Sequence, residues 1–234
     1  MTVEHDGLQV DWFGYATVRL EGPSGTVVYL DPGRYGVLDD RRPEDGDLVC
    51  VTHDHHYDSD GVDRVAADDA TVVVHEGVDA AGIDRDVRPV EALPYDVVRI
   101  GEENETTEAG VTLWSVPAYN EPDGPHTRAD GSPYHPKGFG VGYRLSVDGT
   151  GVFWPGDSDA LEGHRAIDAA VLLPPIGGAF TMDRHEAAAL AGAMEPDLVV
   201  PIHYDTFEAI EADADAFAAD VRDRGVRVAI ENPA

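Results

Sequence analysis

"VCVTHDHHYDSDGV", residues 49–62, sets three histidines and two aspartates into the eight positions from Thr52 to Ser59, directly behind an apolar run. That run, "DLVCVT", is short, valine-rich and read as a buried strand. Polar residues of this kind at a strand end offer a metal shell or a proton relay. In extended geometry residues two apart project to one side, so His53 and His55 are expected to face the same way. With Asp54, His56 and Asp58 adjacent, they supply half of a zinc-type shell. A solvated loop is the competing reading, and what lies further along the chain decides between the two. Cys50, the single cysteine, has no internal disulfide partner and fits a small core residue better than a nucleophile.

Outward from this stretch, strand signals dominate. "LQVDWFG", "TVRLEG" and "TVVYLDP" precede it as a meander punctuated by Gly and Pro. "ATVVVHE" follows, separated by a helical stretch, "DGVDRVAADD", that Asp60 is expected to cap. Then come "DVVRI", "VTLWSVPAY", "YRLSV" and "GVFWP", the last two joined by the hairpin signal "DGTG", and finally "DAAVLLPPI", "DLVVPIHY" and "VRVAIE". Helices are predicted at "DRHEAAALAGAM" and over the whole of "TFEAIEADADAFAADVRDRG", with a glycine closing the second. The loop at 121–138, "EPDGPHTRADGSPYHPKG", is longer than a connector needs and is a candidate functional loop. Residues 1–234 carry no repeat and no low-complexity linker, so one domain of two packed sheets with helices outside is expected.

Composition narrows the function classes. Asp and Glu number 46 against 16 Lys and Arg, a net charge of −30. Lys137 is the only lysine. An acid surplus spread over a foldable chain, with lysine nearly absent, fits adaptation to concentrated salt, where self-repulsion is screened. The surface disfavours phosphate backbones and anionic lipid, so neither nucleic acid nor a membrane is an expected partner. No stretch approaches the ~20 apolar residues of a membrane span and no signal pattern opens the chain, so a cytoplasmic location is expected.

Four places with donor side chains recur at strand ends: "VTHDH", "YHPKGFG" with His135, "PGDSD" with Asp157, and "VVPIHYD" with His203. Their order and spacing over nearly the whole chain resemble the metallo-β-lactamase superfamily. The nearest branch includes ascorbate-6-phosphate lactonase and, more distantly, the phospholipase D acting on N-acyl phosphatidylethanolamine. The resemblance implies an α+β fold, a four-layer αβ/βα sandwich of two mixed sheets with metals at one edge. It also implies a hydrolase that uses metal-bound hydroxide on a small ester, lactone or phosphoester. A metal-dependent nuclease or phosphodiesterase and a non-catalytic metal-binding protein are the alternatives.

Carried residue by residue, the resemblance gives His53, His55, Asp58, His135, Asp157 and His203 as ligands of one or two divalent ions, Zn²⁺ or Mn²⁺. Asp157 bridges, and Asp31 orients a ligand histidine. His126, nine residues before His135, competes with it. The family pattern is Thr-His-x-His-x-Asp-His, whereas this chain has Thr52-His53-Asp54-His55-His56-Tyr57-Asp58. Ungapped, Tyr57 replaces the aspartate and Asp58 the last histidine; with one inserted residue Asp58 becomes the aspartate and Ser59 stands in for histidine. Asp58 is therefore the expected ligand of the second ion and His56 a candidate. Asp58, Asp157 and Tyr57 are the expected catalytic residues. Lys137, Tyr119 and Asn120 are expected to contact a small-molecule substrate, with Arg34 and Tyr204 as further candidates. Lys137 beside His135 fits an anionic substrate group or, equally, a loop salt bridge. The oligomeric state is open.

Overall fold

Valine-rich runs form two mixed sheets in the computed structural model, which describes residues 2–231. In the first sheet β1 (Val3–His5), β2 (Leu8–Gly14), β3 (Thr17–Glu21), β4 (Val27–Leu30), β5 (Gly46–Val51), β6 (Ala66–His75) and β7 (Asp96–Ile100) lie side by side in chain order. The first four are antiparallel and β4 to β7 run parallel. The second sheet has β8 (Glu105–Glu108), β9 (Val111–Ala118), β10 (Gly140–Val147) and β11 (Thr150–Trp154) as an antiparallel ribbon. To it β12 (Val171–Leu172) and β13 (Leu198–Val199) are added in parallel.

The period-two rule is visible in β5. Leu48 and Cys50 join the large apolar cluster shared with the second sheet, whereas Val49 and Val51 join a smaller cluster on the opposite face. On that face sits α1 (Ser59–Val65), which contributes Val62 and Val65. α2 (Arg184–Met194) and α3 (Ala214–Arg222) bury Leu190, Phe217 and Val221 in the large cluster. Helix, sheet, sheet and helix therefore stack as four layers, the architecture expected. None of the described helices is long and apolar enough to cross a membrane.

Local expectations hold unevenly. The β10–β11 hairpin turns at Asp148 and Gly149, both with positive φ (48° and 87°), as a two-residue turn of this twist requires. α2 begins as predicted, with Asp183 and Glu186 closing a capping box. The helix expected over "DGVDRVAADD" stops at Val65, where β6 takes the chain, and its cap is Asp58 rather than Asp60. The long helix predicted over "TFEAIEADADAFAADVRDRG" breaks into a short turn at Glu208–Ile210 and α3, because Asp213 caps a fresh start by accepting from the Ala216 amide.

The topology fixes where chemistry can gather. Asp31 directly follows β4, and Thr52 and His53 directly follow its parallel neighbour β5. Asp157 comes shortly after β11, and β10, antiparallel to it, starts at the same edge behind the loop carrying His135. Gly140 is needed here: a Cβ on it would stand 2.7 Å from the Cβ of His53. Glycine thus lets β10 of the second sheet meet the histidine turn of the first.

Candidate metal centre

Residues 53–56 leave β5 as a turn, not as extended strand: the amides of His56 and Tyr57 both donate to the His53 carbonyl at 3.1 Å. The turn corrects the expectation that His53 and His55 share a side through strand geometry. It also swings His56 inward, where it is fully buried.

Two donor groups meet at Asp157, and within each the ligand atoms lie within 4.8 Å of one another. In the first, Asp157 Oδ2 stands 3.6 Å from His53 Nε2 and 3.3 Å from His135 Nε2, and His135 Nε2 is 3.1 Å from His55 Nδ1. In the second, Asp157 Oδ1 stands 3.4 Å from His56 Nε2 and 3.3 Å from His203 Nε2. Ligands bonded to a tetrahedral zinc at its usual distances are about 3.3 Å apart. The separations are those of a shell around an ion.

Hydrogen bonding supports the same reading. His53 Nε2, His56 Nε2, His203 Nε2 and Asp157 Oδ1 are buried with no hydrogen-bond partner. One such orphan costs about 1–3 kcal/mol; His56 Nε2, His203 Nε2 and Asp157 Oδ1 fall in one donor group and His53 Nε2 in the other, and a cation in each would satisfy them. The far ring nitrogens of His53, His56 and His135 are held, whereas His203 Nδ1 is buried without a partner. His53 Nδ1 is 2.9 Å from Thr52 Oγ1, His56 Nδ1 is 2.9 Å from Asp31 Oδ2, and His135 Nδ1 is 3.2 Å from both Asn120 Oδ1 and the Phe180 carbonyl. As Asp31, Asn120 Oδ1 and the carbonyl only accept, Nδ1 of His56 and His135 carries the proton and Nε2 presents a lone pair. Asp31 is fully buried and also accepts from the Thr52 amide and hydroxyl and from Trp154 Nε1.

Electrostatics prepares the shell for a cation. Burial, and the charge on neighbouring histidines, push His53 down and take His55 and His135 to about 3, so their lone pairs are free. Burial opposes ionisation of Asp157, yet His203 and His56 outweigh it and hold the carboxyl well below the usual carboxylate range. Asp31 (φ 43°), His203 (φ 59°) and Tyr15 (φ 49°) sit in the left-handed region around this centre. Such conformations cost about 1–3 kcal/mol each and gather at functional sites.

Several residues expected at the site lie elsewhere. Asp58 belongs to neither donor group; its Oδ1 accepts from the Asp60 and Gly61 amides at 3.1 and 3.0 Å as the cap of α1. His56 stands where Asp58 was expected. Tyr57 points into the outer apolar cluster and its hydroxyl donates to the Arg88 carbonyl at 2.8 Å. Lys137 is exposed, with its Nζ 5.6 Å from the Tyr119 ring, and neither residue lines the cleft over the metal centre. Asn120 is buried and holds His135 in place: its Oδ1 accepts from the His135 amide, and its Nδ2 donates to Asp159 and to the Phe180 carbonyl. Tyr204 stacks on Trp12 at 4.6 Å, away from the cleft lining. His126 pairs with Asp159 at 2.6 Å instead of joining the donors.

The cleft itself, about 620 Å³, is lined by Tyr15, Arg34, Tyr35, His55, Arg85 and Phe207, among others, and reaches Asp157. Sequence reading missed Tyr15, Arg85 and Phe207. They come from distant loops and no local pattern marks them; only the fold brings them to one edge.

Comparison with known proteins agrees with this geometry. Residues 9–203 match the beta-lactamase superfamily domain. A UPF0173 metal-dependent hydrolase from Methanosphaerula palustris is 34% identical over 219 residues, 90% of this chain and 89% of that protein. Among solved structures, a provisionally assigned metal-dependent hydrolase from Parabacteroides distasonis superposes with a TM-score of 0.74 at 21% identity, covering 99% of this chain and 97% of the other. Igni18, a metallo hydrolase from Ignicoccus hospitalis, gives 0.72 at 23% identity over 97% and 95%. These two likenesses show the fold.

Proposed function

The chain belongs to the beta-lactamase superfamily, among its metal-dependent hydrolases, and we propose that it cleaves small esters, lactones or phosphoesters with two zinc ions. The observation that carries this reading is Asp157, whose two oxygens face two different histidine groups. The lactone option leans on the sequence resemblance to the ascorbate-6-phosphate lactonase-like branch. Zinc is preferred over manganese because, with Asp58 spent on a helix cap, five histidines and one carboxylate form a nitrogen-rich donor set.

His53, His55, His135 and Asp157 would hold one ion with four donors, and His56, Asp157 and His203 the other with three. Such ions polarise the oxygen of a carbonyl or phosphoryl group and bring the pKa of a coordinated water toward neutrality. The protein does the rest. Asp31 and Asn120 fix the imidazoles, so little reorganisation is needed when substrate binds. Tyr15 packs on His203 at 4.3 Å and lines the cleft. Burial, then Asp157, keep its phenol protonated, so it can donate a hydrogen bond to charge developing on the substrate. Tyr15, Tyr35, Phe139, Phe180 and Phe207 form aromatic walls around the cleft.

The acid surplus leads us to read the protein as a cytoplasmic enzyme of concentrated salt that acts on small molecules rather than on polynucleotides or membranes. The test is metal analysis of protein purified without chelator, followed by a panel of generic ester, lactone and phosphoester substrates. About two zinc ions per chain and turnover lost on chelation and in Asp157→Asn are expected. A protein that binds no divalent ion, or that binds zinc and turns over nothing in the panel, would overturn the proposal.

A further inference from the structure

The loop "DPGRYG" at 31–36 and the segment "GIDRD" at 82–86 bring two guanidinium groups to the lip of the cleft. Arg34 Nε donates to the His55 carbonyl at 2.8 Å, and Arg85 Nη2 reaches the same carbonyl at 3.4 Å and that of Asp54 at 2.9 Å. Both cations thus rest on the backbone of a metal-site histidine. In a chain this acidic, arginines find carboxylates easily: Arg19, Arg64, Arg88, Arg99 and Arg184 all do. Arg34 and Arg85 meet none among the described residues, and carbonyls leave most of their five donors each free.

The aromatic next to them is equally unusual. Tyr35 is the one large apolar side chain exposed among the described residues, at 50%, and it adopts φ 61° although it is not glycine. Its ring lies 4.9 Å from Phe207 and 4.7 Å from Tyr15, with the Arg34 guanidinium 4.4 Å from its centroid. An exposed ring held at a cost in backbone energy, beside two unpaired cations, is a surface shaped for a ligand.

We propose that Arg34 and Arg85 clamp an oxyanion of the substrate, a carboxylate or a phosphate group, while Tyr35, Phe207 and Phe180 pack against its apolar body. This assignment rests on the hydrolase reading and names the substrate class: small anionic esters or lactones with a flat apolar portion. The handle is a pair of planar forks suited to bidentate oxyanion binding, in place of Lys137, which lies outside the cleft lining.

Because metal ions also attract anions, the substitutions and a neutral ligand carry the comparison, made on full-length protein purified without chelator at one fixed KCl concentration. Benzoate, phenyl phosphate and neutral benzamide are titrated by calorimetry into wild type, Arg34→Gln and Arg85→Gln. Each anion should bind at least about tenfold more tightly than benzamide, and each substitution should weaken the anions about tenfold or more while leaving benzamide unchanged. The tighter of the two anions identifies the group. Arg85→Lys, which keeps charge but loses the fork, should retain part of the preference and guards against a merely disturbed loop. Equal affinities for anions and benzamide, variants that bind anions as wild type does, or equal losses for all three ligands would each overturn the clamp. Turnover of the metal-loaded wild type is scored separately. A working clamp with no turnover refutes the hydrolase reading alone; turnover of neutral and anionic esters alike, unaffected by either substitution, refutes the clamp alone.

Discussion

Replacing Asp31 by asparagine keeps the volume and removes the charge, so it isolates what this buried carboxylate does. Oδ1 accepts from the Thr52 amide at 2.8 Å; Oδ2 accepts from the Thr52 hydroxyl at 2.9 Å, His56 Nδ1 at 2.9 Å and Trp154 Nε1 at 2.8 Å. An asparagine has one acceptor oxygen. The less costly orientation keeps that oxygen toward the three donors and turns the amide NH₂ against the Thr52 N–H. Hydrogen bonds to a charged acceptor contribute about 1.5–3 kcal/mol and neutral ones about 1. Three weakened bonds and one donor facing a donor therefore amount to roughly 3–4 kcal/mol. The second consequence is local. A His56 ring less firmly oriented should bind its ion about 10–100-fold more weakly, while His135 in the other group is held by Asn120 and the Phe180 carbonyl. Urea unfolding of chelator-treated protein measures the first effect, and zinc titration against a chromophoric competitor the second. Unchanged stability together with two unaltered zinc affinities would refute the reasoning.

His56→Ala is expected to bind one zinc ion and wild type two, whereas Asp58→Ala should bind both and lose only the helix cap, about 1 kcal/mol of stability; zinc stoichiometry by mass spectrometry separates them, and loss of metal in Asp58→Ala would restore Asp58 as a ligand. Burial opposes charge on both His126 and Asp159, but their hydrogen bond prevails, raising the histidine and lowering the carboxyl. A raised histidine stabilises fully below its unfolded value, and a lowered carboxyl above its own, so the pair contributes most between about pH 4 and 6.5. The stability gap between wild type and His126→Gln should thus shrink as pH rises past the raised histidine value; a gap constant from pH 5 to 9 would count against the pair. Finally, the net charge of −30 predicts that the melting temperature rises steeply from 0.1 to about 2 M KCl as repulsion is screened. A salt-independent melting temperature would remove the halophilic reading.

The strands and four of the donor residues were legible because each depends on local pattern: alternating apolar runs, and a histidine or aspartate just beyond them. His135 was separable from His126 by its nearness to the glycine-rich start of β10, which Gly140 explains by the room it leaves for His53. Asp58 misled because motif spacing counts residues and not directions. The chain turns at His53, and that turn aims His56 at Asp157 while Asp58 falls at the first free amides of α1. Lys137 drew notice as the only lysine, yet rarity carries no position. Arg85, Tyr15 and Phe207 have no signal in their own surroundings, since they meet only when three separate loops close over one edge.

The donors come from both sheets: His53, His55 and His56 follow β5, while His135, Asp157 and His203 hang from the second sheet. Seen in time, the first three leave the ribosome before Asp157, the carboxylate about a hundred residues further on that would complete their shell. His203 follows Asp157 by another 46 residues, so the second donor group is complete only later still. Metal uptake would then have to follow the meeting of the two sheets. An ion held across both halves would tie them together against opening, and a cell short of that metal would accumulate chains whose halves part more readily and fall to proteases first.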